Sequence, residues 1–204
     1  MIKFASIAPH PPILLPSVGS EEDRLKLEKT IESLEYLAKD FKKANPDYLV
    51  ISSPHPDWGF NVPLYFIAKD FKGKIEYFLT ELDPPKFYFD KGKQFYLNLK
   101  KNKSYSLIAS GDLSHCLKED GPYGFHPDGP EFDKYLIKYL EEKDIENFLK
   151  LDEMFPQAGE CGLRSFSFLW GILEESKLDW QPEILSYQGP FGVGYLVASI
   201  QIKN

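Results

Sequence analysis

Tyr48-Leu49-Val50-Ile51-Ser52-Ser53-Pro54-His55-Pro56 is the stretch on which the fold turns. Its first half is a continuous apolar run, as expected of a parallel strand covered on both faces. Its second half stops the strand and holds a histidine between two prolines, which fix φ and remove backbone donors. The same arrangement occurs twice more. Ile2 to Ile7 (IKFASI) reads as a strand and leads into Ala8-Pro9-His10-Pro11. Tyr105 to Ser110 (YSLIAS) reads as a strand and leads into Gly111-Asp112-Leu113-Ser114-His115. Of the four histidines in the chain, three therefore follow the carboxyl end of an expected strand. In open α/β sheets that edge holds the ligand. If the three strands are parallel neighbours, their imidazoles can meet.

The segments around these strands support an α/β domain. Glu21 to Lys43 carries Leu25, Leu27, Ile31, Leu34, Leu37 and Phe41 at helical spacing. Ser20 is placed to cap it, and Asn45-Pro46 to end it. Ile75 to Leu79 reads as a further strand. Phe89 to Lys101, Pro130 to Leu140, Asp144 to Leu151 and Gly162 to Glu175 read as helices. Glu183 to Tyr187 and Gly194 to Ile202 read as two strands joined by the turn Gly189-Pro190-Phe191-Gly192.

The bulk properties narrow the function. With 204 residues, 43% of them hydrophobic, the chain can bury a core. A net charge of −7 and the lack of a basic stripe argue against nucleic acid as partner. Lys100-Lys101-Asn102-Lys103 reads as a solvated helix end or turn. No apolar run reaches the ~18 residues of a membrane span, and no secretory signal is recognisable, so a cytoplasmic protein is expected. The two cysteines, Cys116 and Cys161, then read as thiols rather than a disulfide.

Imidazole is the commonest protein ligand for iron, zinc and copper. Three histidines could complete a zinc set with water. Equally, two could bind a metal beside a carboxylate while the third transfers protons. The pattern alone does not choose. Ser114 and Asp112 beside His115 invite comparison with a hydrolase triad, but there is no Gly-x-Ser-x-Gly elbow, and sequence neighbours rarely have triad geometry. A partner that orients a histidine is the better reading of Asp112.

Five motifs in order carry a resemblance. They are Ala8-Pro9-His10-Pro11-Pro12, Ser53-Pro54-His55-Pro56-Asp57, Ser110-Gly111-Asp112-Leu113-Ser114-His115, Gly121-Pro122-Tyr123-Gly124-Phe125-His126-Pro127 and Glu160-Cys161-Gly162. Over nearly its whole length the chain resembles the class III extradiol ring-cleavage dioxygenases, the LigB-like superfamily that also includes the Memo proteins. The resemblance implies one domain over residues 1–204, with a central, mixed, mostly parallel sheet flanked by helices on both faces. It implies Fe(II) held by His10, His55 and Glu160, with zinc or another divalent metal as substitute, and His115 as acid/base. It implies O2 and a small aromatic diol as substrates, and association into a homo-oligomer.

Cys161 enters as an alternative donor, because the Memo branch can place a cysteine ligand near this position. A thiolate would favour zinc or a softer metal site. His126 is expected either to touch substrate or to cap a turn, and Tyr123 and Asp57 to lie on the pocket rim. The chain is shorter between His55 and His115 than characterised ring-cleaving members. A Memo-like metal-binding or interaction protein without ring cleavage is therefore the alternative, and a zinc-dependent hydrolase the third reading.

Overall fold

The computed structural model describes residues 1–203. One six-stranded sheet runs through it in the order β3-β2-β4-β1-β6-β5. The strands are β1 (Ile2–Ala8), β2 (Tyr48–Ser53), β3 (Lys74–Leu79), β4 (Tyr105–Ser110), β5 (Asp179–Gln188) and β6 (Tyr195–Lys203). The first four are parallel, and β6 and β5 add an antiparallel edge. The central strands are buried along nearly their whole length, which explains their continuous apolar runs. Eight helices flank the sheet among the described residues: α1 (Glu21–Lys26), α2 (Glu28–Ala44), α3 (Trp58–Ile67), α4 (Pro85–Leu97), α5 (Asp128–Glu142), α6 (Ile145–Phe148), α7 (Leu151–Met154) and α8 (Leu163–Ser176). None is long and apolar enough to cross a membrane.

The helices cover both faces. On one, α2 and α3 bury Leu34, Leu37, Phe41 and Val62 against Phe4, Leu49, Ile51 and Ile108. On the other, α4, α5 and α8 bury Phe89, Leu136, Phe166 and Leu169 against Ile7, Val50 and Leu107. The chain segments that follow β1 and β2 thus cross one face, and those that follow β3 and β4 cross the other. Neighbouring strands whose connections leave to opposite faces open a crevice at their carboxyl ends.

The helix expected over Glu21–Lys43 is two helices. Ser20 caps the first with its side chain on the Asp23 N–H, and Asn45 ends the second in a left-handed conformation with φ of 41°. Between them Leu27 leaves helical geometry, and its N–H turns to the Arg24 carbonyl. The break sends Leu27 into the core and leaves Leu25 70% exposed, contrary to the periodicity. Asp144–Leu151 is likewise split into α6 and α7. Helix α3 has no counterpart in the periodicity, because it is apolar all round and contains Pro63.

Helices α4 and α8 meet backbone to backbone. A Cβ on Gly171 would lie 1.9 Å from the Phe89 carbonyl oxygen, and one on Gly92 would lie 2.1 Å from that of Phe168. The obstacle at both positions is main chain, which cannot rotate away. Gly171→Ala is therefore expected to force the helices apart and to lower stability by about 1–3 kcal/mol. A fall in the urea midpoint at unchanged slope would register it.

Candidate metal centre and active site

Strand order brings the histidines together. β4 lies between β2 and β1, with Ala8 level with Ser110 and Ser52 level with Ala109. The three loops therefore leave the sheet side by side. The His10 and His55 rings meet edge to face with centroids 5.2 Å apart. His10 is almost fully buried, and His55 and His115 are half-buried.

The tautomer of His10 follows from a chain of constraints that begins in α3. Pro63 has no N–H, so the Gly59 carbonyl one turn earlier lacks a helical donor. The Ser110 hydroxyl donates to that carbonyl. A hydroxyl has one proton, so Ser110 Oγ must accept from His10 Nδ1, 2.9 Å away. Nδ1 therefore carries the proton, and Nε2 presents its lone pair. Burial first, then the nearby His55 and His115, lower the His10 pKa to about 3, which keeps the ring in the neutral, ligating form.

Nε2 of His10 points at sulfur. It lies 3.5 Å from Cys161 Sγ and 3.9 Å from Asp112 Oδ2. Donor atoms of His10, His55 and Cys161 lie within 4.8 Å of one another, as do those of Asp112, His115 and Cys161. A tetrahedral ion with bonds of about 2.3 Å to sulfur and about 2.0 Å to nitrogen needs N···S edges of roughly 3.5 Å. The His10–Cys161 separation matches that edge, so the donor set fits a metal ion. Burial and the neighbouring Asp112 push the Cys161 thiol well above its ordinary pKa, so metal binding would release its proton. Gly111 lets this segment approach, since a Cβ there would lie 2.2 Å from Gly162 Cα.

Glu160, expected as the carboxylate ligand, is placed otherwise. One of its oxygens accepts from the Leu163 N–H at 2.7 Å, at the start of α8, and the other pairs with Arg164 at 3.0 Å. Arg164 also reaches Asp152 and the Asp83 carbonyl. The guanidinium and the helix end thus hold both oxygens of Glu160, and neither metal-capable group includes it. The carboxylate beside the histidines is Asp112, which accepts the His10 N–H at 3.0 Å. Its burial raises its pKa to about 7.

His115 stands in the second group. Its Nε2 is buried with no protein partner, and burial followed by the charge of His55 lowers its pKa to about 4. Its N–H donates to the Ala158 carbonyl, and that of Ser114 donates to Asp133 at 2.7 Å. Asp133 also accepts from the Tyr187 hydroxyl at 2.6 Å. The exposed Tyr123 ring lies 5.3 Å from the His115 ring. His126 serves a turn, where its Nδ1 accepts the Asp128 N–H at the start of α5. Asp57 stands exposed before α3, its carbonyl accepting two helical N–H groups.

Residues 55–198 match the family described as the catalytic LigB subunit of aromatic ring-opening dioxygenase. The chain belongs to this family. It is also similar to Protein CA_C1420 of Clostridium acetobutylicum, 32% identical over 270 residues that take in 96% of this chain and 56% of the relative. The chain thus spans little more than half the length of that relative. Among solved structures it resembles the uncharacterized protein JW3007 from Escherichia coli K12, with a TM-score of 0.64, 12% identity, and coverage of 98% and 100% of the two chains. At that identity the likeness is one of fold.

For this LigB-family site, sequence reasoning missed Ser110, Trp58 and Asp133. Ser110 carries no signal beyond its place at a strand end. Asp133 sits inside an amphipathic helix, where an acid ordinarily faces water. Three outcomes are expected. Ser110→Ala, which frees the His10 ring to flip or change tautomer, should weaken Co(II) or Zn(II) binding roughly 10–100-fold by calorimetry. Cys161→Ser should abolish the sulfur-to-metal charge-transfer absorption of the Co(II) form. Glu160→Gln should keep that band while costing about 1–3 kcal/mol of stability. Loss of metal binding in Glu160→Gln with the Cys161→Ser spectrum unchanged would restore the carboxylate assignment.

Proposed function

We propose that this LigB-family protein is a dioxygenase-type oxidoreductase that opens a small aromatic diol with O2. His10 and His55 would hold Fe(II) with Cys161, and His115 would move protons. The observation that carries this reading is the buried, unpartnered Nε2 of His115 beside two imidazoles. Leaving a ring nitrogen buried without a protein partner costs stability, and a proton taken from a bound diol would give it a use. Bound Fe(II) would supply the passage of electrons from diol to O2. The neutral ring of His115 can take one proton from a diol hydroxyl and return it to an oxygen of the product. Asp133 keeps the loop in place through Ser114, and Asp112 fixes the His10 backbone.

Cys161 favours a second reading, a Memo-like metal-binding protein without ring cleavage. A thiol in place of the carboxylate suits zinc or copper as well as iron. Anaerobic loading with Fe(II), followed by a panel of catechols and O2, separates the two. Ring opening predicts O2 uptake with a yellow product, and a kcat in His115→Gln lower by roughly 10²–10⁴ at unchanged iron content. Iron-loaded protein that consumes no O2 with any diol would leave the metal-binding reading standing.

A further inference from the structure

Two exposed aromatic side chains rest on the histidines of this site. Trp58, the first residue of α3, is 43% exposed, and its ring lies 5.0 Å from that of His55 at a tilt of 34°. Tyr123 is 67% exposed, and its ring lies 5.3 Å from that of His115 at a tilt of 44°. The other two tryptophans, Trp170 and Trp180, are 3% and 5% exposed and pack in the core. Other exposed aromatics, such as Tyr65, Tyr77 and Phe87, lie against Phe66, Phe60 and Tyr88, whereas Trp58 and Tyr123 each lie against an imidazole of the site. His55 and His115 follow the neighbouring strands β2 and β4. The two exposed aromatic rings therefore lie against histidines carried by adjacent loops.

We propose that Trp58 and Tyr123 are stacking platforms that orient a planar aromatic ring as its oxygens enter the metal site. The inference rests on the diol-binding reading above and adds the residues that choose an aromatic over an aliphatic ligand. A π-face attracts the face or edge of another ring in offset or edge-on geometry, and gains beyond area burial of about 0.5–1.5 kcal/mol per pair are typical. The oxygens alone cannot provide that discrimination, because a metal binds any chelating pair. Trp58 also sits on the helix whose Gly59 carbonyl holds Ser110, so the platform and the His10 tautomer share one rigid support.

The test uses the full chain loaded with Zn(II), which permits binding without turnover. Two probes are titrated. 4-Nitrocatechol is an aromatic chelator followed by its visible absorption, and acetohydroxamate is a chelator without a ring, followed by calorimetry. Trp58→Ala should weaken 4-nitrocatechol about tenfold, and Tyr123→Ala severalfold, while acetohydroxamate and zinc affinities stay within twofold. Trp58→Phe should restore most of the loss, since it keeps a π-face. In the wild type, 4-nitrocatechol should also protect the exposed Trp58 from acrylamide quenching.

Equal binding of 4-nitrocatechol by wild type and both alanine variants would overturn the platforms and leave the ring-opening reading untouched. Equal weakening of both probes would overturn them too, by locating the effect in the metal pocket. Platforms that behave as expected in a protein without O2 uptake would sink the ring-opening reading alone. Failure of the wild type to bind 4-nitrocatechol would remove both.

Discussion

The single proton of the Ser110 hydroxyl is the constraint on which the site depends. It is donated to a carbonyl that Pro63 has left without a helical partner, so the same oxygen must accept from His10. A ring that would otherwise choose between tautomers is thereby fixed, with its lone pair toward the sulfur of Cys161. The device is rigid because every member is buried: Ser110 ends a central strand, Gly59 opens a helix packed over that strand, and His10 is sealed by its neighbours. The proline that weakens α3 as a helix is what makes its first turn useful.

Backbone proximity plays the same part elsewhere. Glycines let α4 and α8 approach main chain to main chain, and let the loop after β4 meet the segment that carries Cys161. In both places the missing Cβ converts a packing contact into a positional one. Helix α8 is tied at its start by Glu160 and Arg164, so the thiol just ahead of it is presented from an anchored turn. The carboxylate thus acts at the site by holding the donor beside it. A salt bridge and helix-end hydrogen bonds, which stabilise a buried carboxylate, compete directly with its use as a ligand.

His115 is held by different means from the other two histidines. Prolines flank His10 and His55, whereas the His115 loop is tied by hydrogen bonds to Ala158, Asp133 and the chain ahead of β6. That tethering leaves its Nε2 free and buried. The Cys161 sulfur thus stands between two groups of donors, His10 with His55 on one side and His115 with Asp112 on the other.

The sequence by itself determined the parallel strands and the place of the histidines. A strand covered on both faces must be apolar throughout, and the residue after its end must lie at the sheet edge. Ser20 and Asn45 were legible as helix ends for the same local reason. What tertiary structure alone decided is which neighbour of each histidine faces it. Glu160 and Cys161 are adjacent in the chain, and no local rule tells which turns inward. Arg164, held by Asp152 and the Asp83 carbonyl from separate segments, draws the carboxylate toward α8, while the close approach of Gly111 and Gly162 brings the thiol to His10. Helix α3 was illegible because its exposed face carries Trp58 and Tyr65, so no polar stripe marks the helical period. The roles of Ser110 and Trp58 were hidden with it, since both depend on where that helix comes to rest.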